Sequence, residues 1–395
     1  MVGALRNIKI SLMLLLHAFL SLLQLFPSPA RAGSALDQLS GGAPLPEVPA
    51  AQAPASPFFP EDGSAPMKAW YTRGVPPAPV QAALAAEGVE PRDIRFDYEW
   101  AQDIAFFRQD GSLVLLADAP PKLLENLSLT MGVLNNEDGF PALTALSEQD
   151  AQALGVPFRR LQHTFLEGGA LITGYFPGGE PYAIVTQSPV EGAALIYEYR
   201  TGRAIDEAAA KALVAADLGV AVKDLFVVPS DGHLDLVITP LRGGTLLVTD
   251  PSRELAVMQA LLPKAPAGEQ KRLKAMIKFY KEGWKRYPDS KPEFPHTAYE
   301  QRVADAAAAI LQARFKVVRA AGSFKELKKY ANAESLYPAE RINFFNGFTG
   351  STASGELFQV TNSGDGLTSL ENYWAQLLKG LGAARVHFPG SYSLG

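Results

Sequence analysis

Apolar and polar positions along the chain fall into a recurring unit: a short helix, a glycine turn, an extended run, a polar site and a short hydrophobic strand. In ALAAEGVEPRDIRFDYEWAQD the unit leads through Trp100-Ala101-Gln102-Asp103 to the strand SLVLLADA. In AQALGVPFRRLQHTFLEGG it leads through Glu167-Gly168-Gly169 to YAIVTQ, and in VAADLGVAVKDLFVVPSDGHLD through Gly232-His233-Leu234-Asp235 to TLLVTDP. A last copy, QLLKGLGAARVHFPGSYSLG, reaches Gly395 about where its polar site should begin. Each unit leaves an apolar face that only a neighbouring unit can cover, so the pattern predicts one repeat array of class α/β. Polar sites at matching places in such an array converge on its axis.

Helices are expected over PAPVQAALAAEG, LSEQDAQALG, IDEAAAKALVAADLG and LTSLENYWAQLLKGLG, with Gly88, Gly155, Gly219 and Gly380 or Gly382 as left-handed C-caps. A different texture runs from about residue 264 to 336. GEQKRLKAMIKFYKEGWKRY puts Leu273, Met276, Ile277, Tyr280 and Trp284 on one helical face, and AYEQRVADAAAAILQARFKVVRA does so with Val303, Ala307, Ile310 and Leu311. This reads as a helical insertion in the fourth unit, whose own strands follow in ERINFFNGFTG and ELFQVTN.

The ends change the picture. Arg6 and Lys9 precede the apolar run ISLMLLLHAFLSLLQLF, and Ala30-Arg31-Ala32 offers a small-residue cleavage site, so residues 1–32 read as a signal peptide of an exported protein. Residues 33–66, rich in Pro and Ala, read as a flexible leader. Residues 67–395 form the folded domain. Net charge is −5, and about −8 once the signal peptide's three cations are gone. With no cluster of basic residues and aromatics, nucleic acid is excluded as a partner, as is a membrane after signal cleavage; a cationic substrate is favoured. Cysteine is absent, which removes disulfides, thiol nucleophiles and thiolate ligands together.

Taken singly, each polar site has an ordinary explanation. His233 and Asp235, two apart, would point the same way on a strand, but such a pair is more often structural. Asp103 fits a turn or helix cap, Glu167 a tight turn, and Asn343 in Arg341-Ile342-Asn343-Phe344-Phe345 a buried side chain satisfied by backbone. Their shared place in the repeat is what suggests a common cation-handling site.

The order Trp-x-Gln-Asp, Glu-Gly-Gly, Gly-His-x-Asp, then Asn in an aromatic strand resembles the guanidino-group-modifying enzymes of the five-bladed pentein fold. Trp100-Ala101-Gln102-Asp103 and Gly232-His233-Leu234-Asp235 are most similar to bacterial peptidylarginine deiminase-like proteins. Glu167-Gly168-Gly169, RINFFNG and VHFPGSYSLG are similar to their agmatine deiminase relatives. The resemblance spans about residues 68 to 395. It implies a pentein-type α/β propeller of about five pseudo-repeated modules, the last incomplete and the fourth carrying the helical insertion. It implies an arginine deiminase-type hydrolase converting peptidyl or free arginine to citrulline and ammonia. Asp103 and Asp235 would clamp the guanidinium, whose paired N–H donors suit two carboxylates. His233 would serve as general acid and base. Trp100 would stack on the cation, while Gln102, Glu167 and Asn343 would contribute to substrate binding.

The family's nucleophile, a cysteine after a Gly-rich turn in the fifth module, has no counterpart here; Ser391 and Ser393 are near that place but lack an adjacent base. The expectation is a chain cut short of its nucleophile, with a guanidinium-binding pseudoenzyme or a deiminase of a small guanidine such as agmatine as the alternatives. In the animal deiminases acidic residues after the first-site aspartate help bind calcium. Here Ile104, Ala105 and Phe106 follow Asp103, so no metal and no other cofactor is expected.

Overall fold

A computed structural model describes residues 57–72, 75–93, 105–115, 155–164, 166, 168–230, 233–282, 296–327 and 339–390. A recurring β unit organises them, in which one strand pairs in parallel with a second reached after a crossover. Five such pairs occur: β2 (Ala69–Thr72) with β3 (Glu90–Asp93), β5 (Leu113–Leu115) with β6 (Phe158–Arg160), β8 (Pro181–Val185) with β9 (Leu225–Val227), β11 (Thr245–Thr249) with β12 (Lys316–Ala320), and β16 (Leu357–Thr361) with β17 (Ala383–His387). The later four each gain a hairpin partner: β4 (Ala105–Phe107), β7 (Leu171–Tyr175), β10 (Ile238–Leu241) and β15 (Gly347–Ser351) respectively. Strand β1 (Asp62–Pro66) adds to β15 in parallel, and β13 (Ser323–Leu327) pairs with β14 (Ala339–Asn343) as a separate hairpin.

The described crossovers are helical; helices over PAPVQAALAAEG, IDEAAAKALVAADLG and LTSLENYWAQLLKGLG were expected, whereas residues 147–154 of LSEQDAQALG lie outside the described residues. Helix α1 (Ala78–Ala86) links β2 to β3; α2 (Ser188–Thr201) and α3 (Glu207–Leu218) link β8 to β9. Helices α4 (Pro251–Leu261), α5 (Ala267–Glu282) and α6 (His296–Leu311) lie between β11 and β12, and α7 (Thr368–Gly380) between β16 and β17. In α3 the Asp206 carboxylate accepts from the Ala209 N–H at 2.8 Å, and Gly219 closes the other end at φ 70°, a left-handed conformation that costs glycine little. Two compact units divide the chain. Residues 197–204 group with those before 51; there Gly202 N donates to Glu198 O at 2.8 Å, closing the end of α2. Everything below concerns the other unit, residues 51–196 and 205–395.

Apolar burial is shared among several clusters. In one, Ile172, Tyr182, Ile184, Phe226, Leu234, Ile238 and Val248 meet Ala307, Ala308, Leu311 and Phe315. In another, Leu273, Met276 and Ile277 of α5 pack with Phe324, Phe344, Phe345 and Trp374. A third joins Val80 and Leu84 of α1 to Phe358 and Val360 of β16.

Three expectations need correction. The leader does not extend to residue 66: Phe58 is buried, meets Phe106 edge-on at 5.6 Å, and the Arg108 guanidinium lies 4.6 Å from its ring centre. Phe59 N donates to Phe107 O at 2.8 Å, and β1 follows at once. Two aromatics supply the burial that the Pro/Ala composition before them lacks. Second, Lys316–Ala320 is a strand of the preceding sheet and not the end of the second insertion helix, because Phe315 turns into the core and the β-branched Val317 and Val318 suit a ladder. The insertion therefore spans α5 and α6 and not the whole of 264–336. Third, the buried face of α6 is Ala304, Ala307, Ala308 and Leu311; Ile310 is exposed and Val303 half-buried, so the face sits about one residue from its expected place. Trp284, the signal peptide and most of the leader lie outside the described residues. Among the described residues no helix is long and apolar enough to cross a membrane.

If residues 57–66 belong to the core, Phe58→Ala should destabilise the protein by roughly 3 kcal/mol, the usual cost of deleting a buried aromatic. Urea unfolding of the variant measures it; an unchanged midpoint would return the segment to the leader.

Candidate active site

Leu234 sets the geometry of the His-x-Asp motif. It is fully buried among Ile172, Phe226 and Ile238, and with its side chain fixed the residues on either side are turned out of the core. The backbone is not the expected strand. Residues Leu234–Leu236 form one 3-10 turn with His233 as its extended N-cap (φ −71°, ψ 137°). Even so, His233 Nδ1 lies 4.0 Å from Asp235 Oδ1, with the imidazole 39% and the carboxylate 15% exposed. The pair works as one unit because the turn is tight, not because a pleat aligns it.

The second motif meets the first here. Gly168–Ala170 forms a 3-10 turn that opens β7, and Gly169 passes so close to the imidazole that a Cβ built on it would stand 2.3 Å from His233 Nδ1. A side chain there would require the imidazole to move, which favours glycine at this position. The approach is held from a distance by Asp217 in the last turn of α3. A carboxylate there opposes the helix dipole, yet Asp217 accepts N–H groups from Gln162, His163 and Thr164 at 3.1, 2.7 and 2.9 Å. Burial still raises its pKa against those bonds. Three successive amides on one carboxylate fix the segment that runs into Gly168.

The third motif braces the turn from the other side. Asn343, buried at the end of β14, donates Nδ2 to Leu236 O at 3.1 Å and accepts from Phe345 N at 3.0 Å through Oδ1. Its backbone carbonyl accepts from Asn362 Nδ2 at 3.3 Å. Both side-chain atoms bond backbone, so Asn343 is a strut under the His-x-Asp turn. Trp100, Gln102, Asp103 and Glu167 lie outside the described residues.

One residue of the site escaped the sequence reading. Glu61, the residue before β1, is half-buried overall, but its carboxyl is withdrawn from water and accepts from Thr173 N at 2.9 Å. Burial pushes its pKa from 4.5 up to about 8, and the charges of Asp235 and Asp62 push the same way. Glu61 and Asp235 thus bring two carboxyl groups near one another beside an imidazole. Such an arrangement favours a cation, which relieves both the desolvation and the like-charge repulsion. Among the described residues no group of three or more His, Asp and Glu could hold a metal ion.

No family model and no curated protein matches the chain. Its neighbours among solved structures are agmatine deiminases. A Cys-to-Ser variant of the C. jejuni enzyme with substrate bound aligns over 88% of this chain and 97% of its own, at 10% identity and a TM-score of 0.45. The agmatine deiminase of Enterococcus faecalis aligns over 86% and 94%, at 11% identity and a TM-score of 0.44.

Two substitutions test the geometry. Gly169→Ala should displace the imidazole at small cost to the fold, since His233 is part-exposed and can swing away. The ring correlations of His233 in the NMR spectrum should move while the unfolding midpoint changes little; unmoved resonances refute the close approach. For Glu61, the native protein holds a proton between pH 4.5 and about 8 that the unfolded chain has released, so its contribution to stability is full below 4.5 and lost as pH rises to about 8. Glu61→Gln should therefore melt with wild type at low pH and above it at high pH, as thermal scans across that range would show. A difference that does not vary with pH counts against the buried acid.

Proposed function

We propose that the chain is the guanidinium-handling core of an arginine deiminase-type hydrolase of the pentein kind, acting on arginine. The observation that carries this reading is the convergence of three motifs far apart in sequence. Gly169 packs on His233, His233 sits 4.0 Å from Asp235, and Asn343 is bonded to Leu236 of the same turn.

Asp235 accepts N–H donors from one edge of the planar cation, and Asp103 is assigned the other. Trp100 is assigned the face of the cation; Gln102 and Glu167 complete its surroundings. Net hydrolysis consumes a guanidinium and a water and yields a ureido group and ammonium. As water bonds to the guanidinium carbon, His233 takes a proton from it, and the same imidazole then returns that proton to the nitrogen that departs as the C–N bond breaks. Glu61, protonated while the site is empty, loses its proton readily once a cation lies beside Asp235, so substrate binding should release protons near neutral pH. The N-terminal signal pattern favours an exported protein, and with it peptide-borne arginine over agmatine.

A second reading is favoured by one observation: the 395 residues contain no cysteine. Thiolate attack on the guanidinium carbon has no donor in this sequence, and on this reading the chain binds guanidinium compounds without turning them over.

Titration calorimetry with an arginine peptide, alongside a citrulline assay, tests both. Asp235→Asn should weaken peptide binding by tenfold or more, on the order of 2 kcal/mol for a charged hydrogen-bond partner. Citrulline from the unmodified chain supports turnover, and binding without citrulline supports the second reading. Affinity indifferent to Asp235→Asn overturns the site.

A further inference from the structure

Between residues 264 and 286 the chain carries eight lysines and arginines against two glutamates, a local charge of +6 within a protein of net −5. Helix α5 turns most of this run into a surface. Leu273, Met276 and Ile277 are buried in the core, so Lys271, Lys274, Lys278 and Lys281 point the other way, and all four are exposed. Helical geometry places the four within an arc of about 80° and in a row about 15 Å long. By the same spacing Ala267 lies inside the arc, and Gln270, Ala275 and Glu282 border it.

Other charges of the region are engaged away from this face. Arg272 donates Nε to Glu326 Oε1 at 2.7 Å, and its Nη2 lies 2.9 Å from Asp365 Oδ2. Glu269 is buried and accepts from Thr368 N and Ser369 N at 3.1 and 3.0 Å, at the start of α7. Lys264, just ahead of α5, is exposed as well, while Lys285 and Arg286 lie outside the described residues.

We propose that the lysine face of α5 docks the protein on an anionic lipid surface, by charge and without insertion. Net charge speaks against such a surface, but exposed charges are screened beyond a Debye length, about 10 Å at 0.1 M salt. The surface therefore senses the face turned to it and not the whole chain. Lysine is a compact charge on a flexible stem, which suits headgroups that move. Phosphates or carboxylates in fixed places favour the arginine fork, and the arc holds no arginine. Interfaces between proteins are depleted in lysine, and single-stranded nucleic acid asks for aromatic rings to stack on, which the arc also lacks. The apolar side of α5 is held in the core, so the helix has no such side to give to the acyl region. None of this rests on the deiminase reading.

Co-sedimentation of the full chain with vesicles decides it, phosphatidylcholine alone being compared with phosphatidylcholine containing phosphatidylglycerol. Neutral vesicles register any binding through the apolar N-terminal run, so the difference between the two reports the face. At low salt the anionic vesicles should bind at least about tenfold more tightly, because each lysine near such a surface contributes about fivefold. That advantage should vanish near 1 M salt, where the Debye length is about 3 Å. Lys271→Gln, Lys274→Gln and Lys281→Gln together should cut it at least about tenfold with an unchanged melt, and Lys→Arg at the same three positions should keep it. Equal binding to both vesicles, or an advantage indifferent to the glutamines, overturns the proposal. Tighter binding to duplex DNA than to anionic vesicles, at equal phosphate and salt, overturns the lipid assignment.

Discussion

The passage of Gly169 beside the His233 imidazole governs the site. Backbone and ring are so close that a single added carbon would collide with Nδ1. Two segments more than sixty residues apart must therefore be placed to within a fraction of an ångström. The fold does this with three devices. Leu234 is driven into the core beside Phe226 and Ile238 and fixes the turn that carries His233 and Asp235. Asp217 gathers three amides and fixes the approach to Gly168. Asn343 donates Nδ2 to the backbone of that turn, at Leu236 O, and accepts from Phe345 N through Oδ1. Each of the three limits where the imidazole can go. Precision of this kind has to come from supporting residues, because a part-exposed ring has little packing of its own.

Charge follows from the same geometry. The fold brings the carboxyl of Glu61 near Asp235 and withdraws it from water, and the result is an acid that keeps its proton until about pH 8. A buried pair of carboxyls is costly when both are ionised, and a cation between them removes the cost. The chain thereby stores in the empty site part of the free energy that binding a cation recovers.

The repeat was legible because its signals are local. A helix ending in glycine, then a β-branched run, can be recognised within fifteen residues, and Gly88, Gly155 and Gly219 do adopt positive φ. The polar sites were legible only as a series, since no motif alone outweighs its ordinary explanation. What stayed hidden was non-local. The His-x-Asp spacing of two is shared by a strand and by a 3-10 turn, and only the burial of Leu234 decides between them. Glu61 follows a Pro-rich stretch with no period, and its importance comes from Thr173 and Asp235, more than a hundred residues away. The strand Lys316–Ala320 was merged with a helix because alanine-rich helical pattern runs straight into it, and the ladder it joins, β11, lies before the insertion. Asn343 was seen as a polar residue in an apolar run, but the sequence could not say that its partners are backbone.

The helical insertion has a consequence beyond filling space. Without α6, the apolar face of β11 would be covered by some other element, and the wall behind the His-x-Asp turn could be wholly apolar. Instead α4 and α6 bring Glu254 and Glu300 to it, beside Thr249, whose buried Oγ1 has no hydrogen-bond partner among the described residues. A packed core gains by replacing such a hydroxyl with a methyl group, and Thr249→Val would be a one-atom route to that.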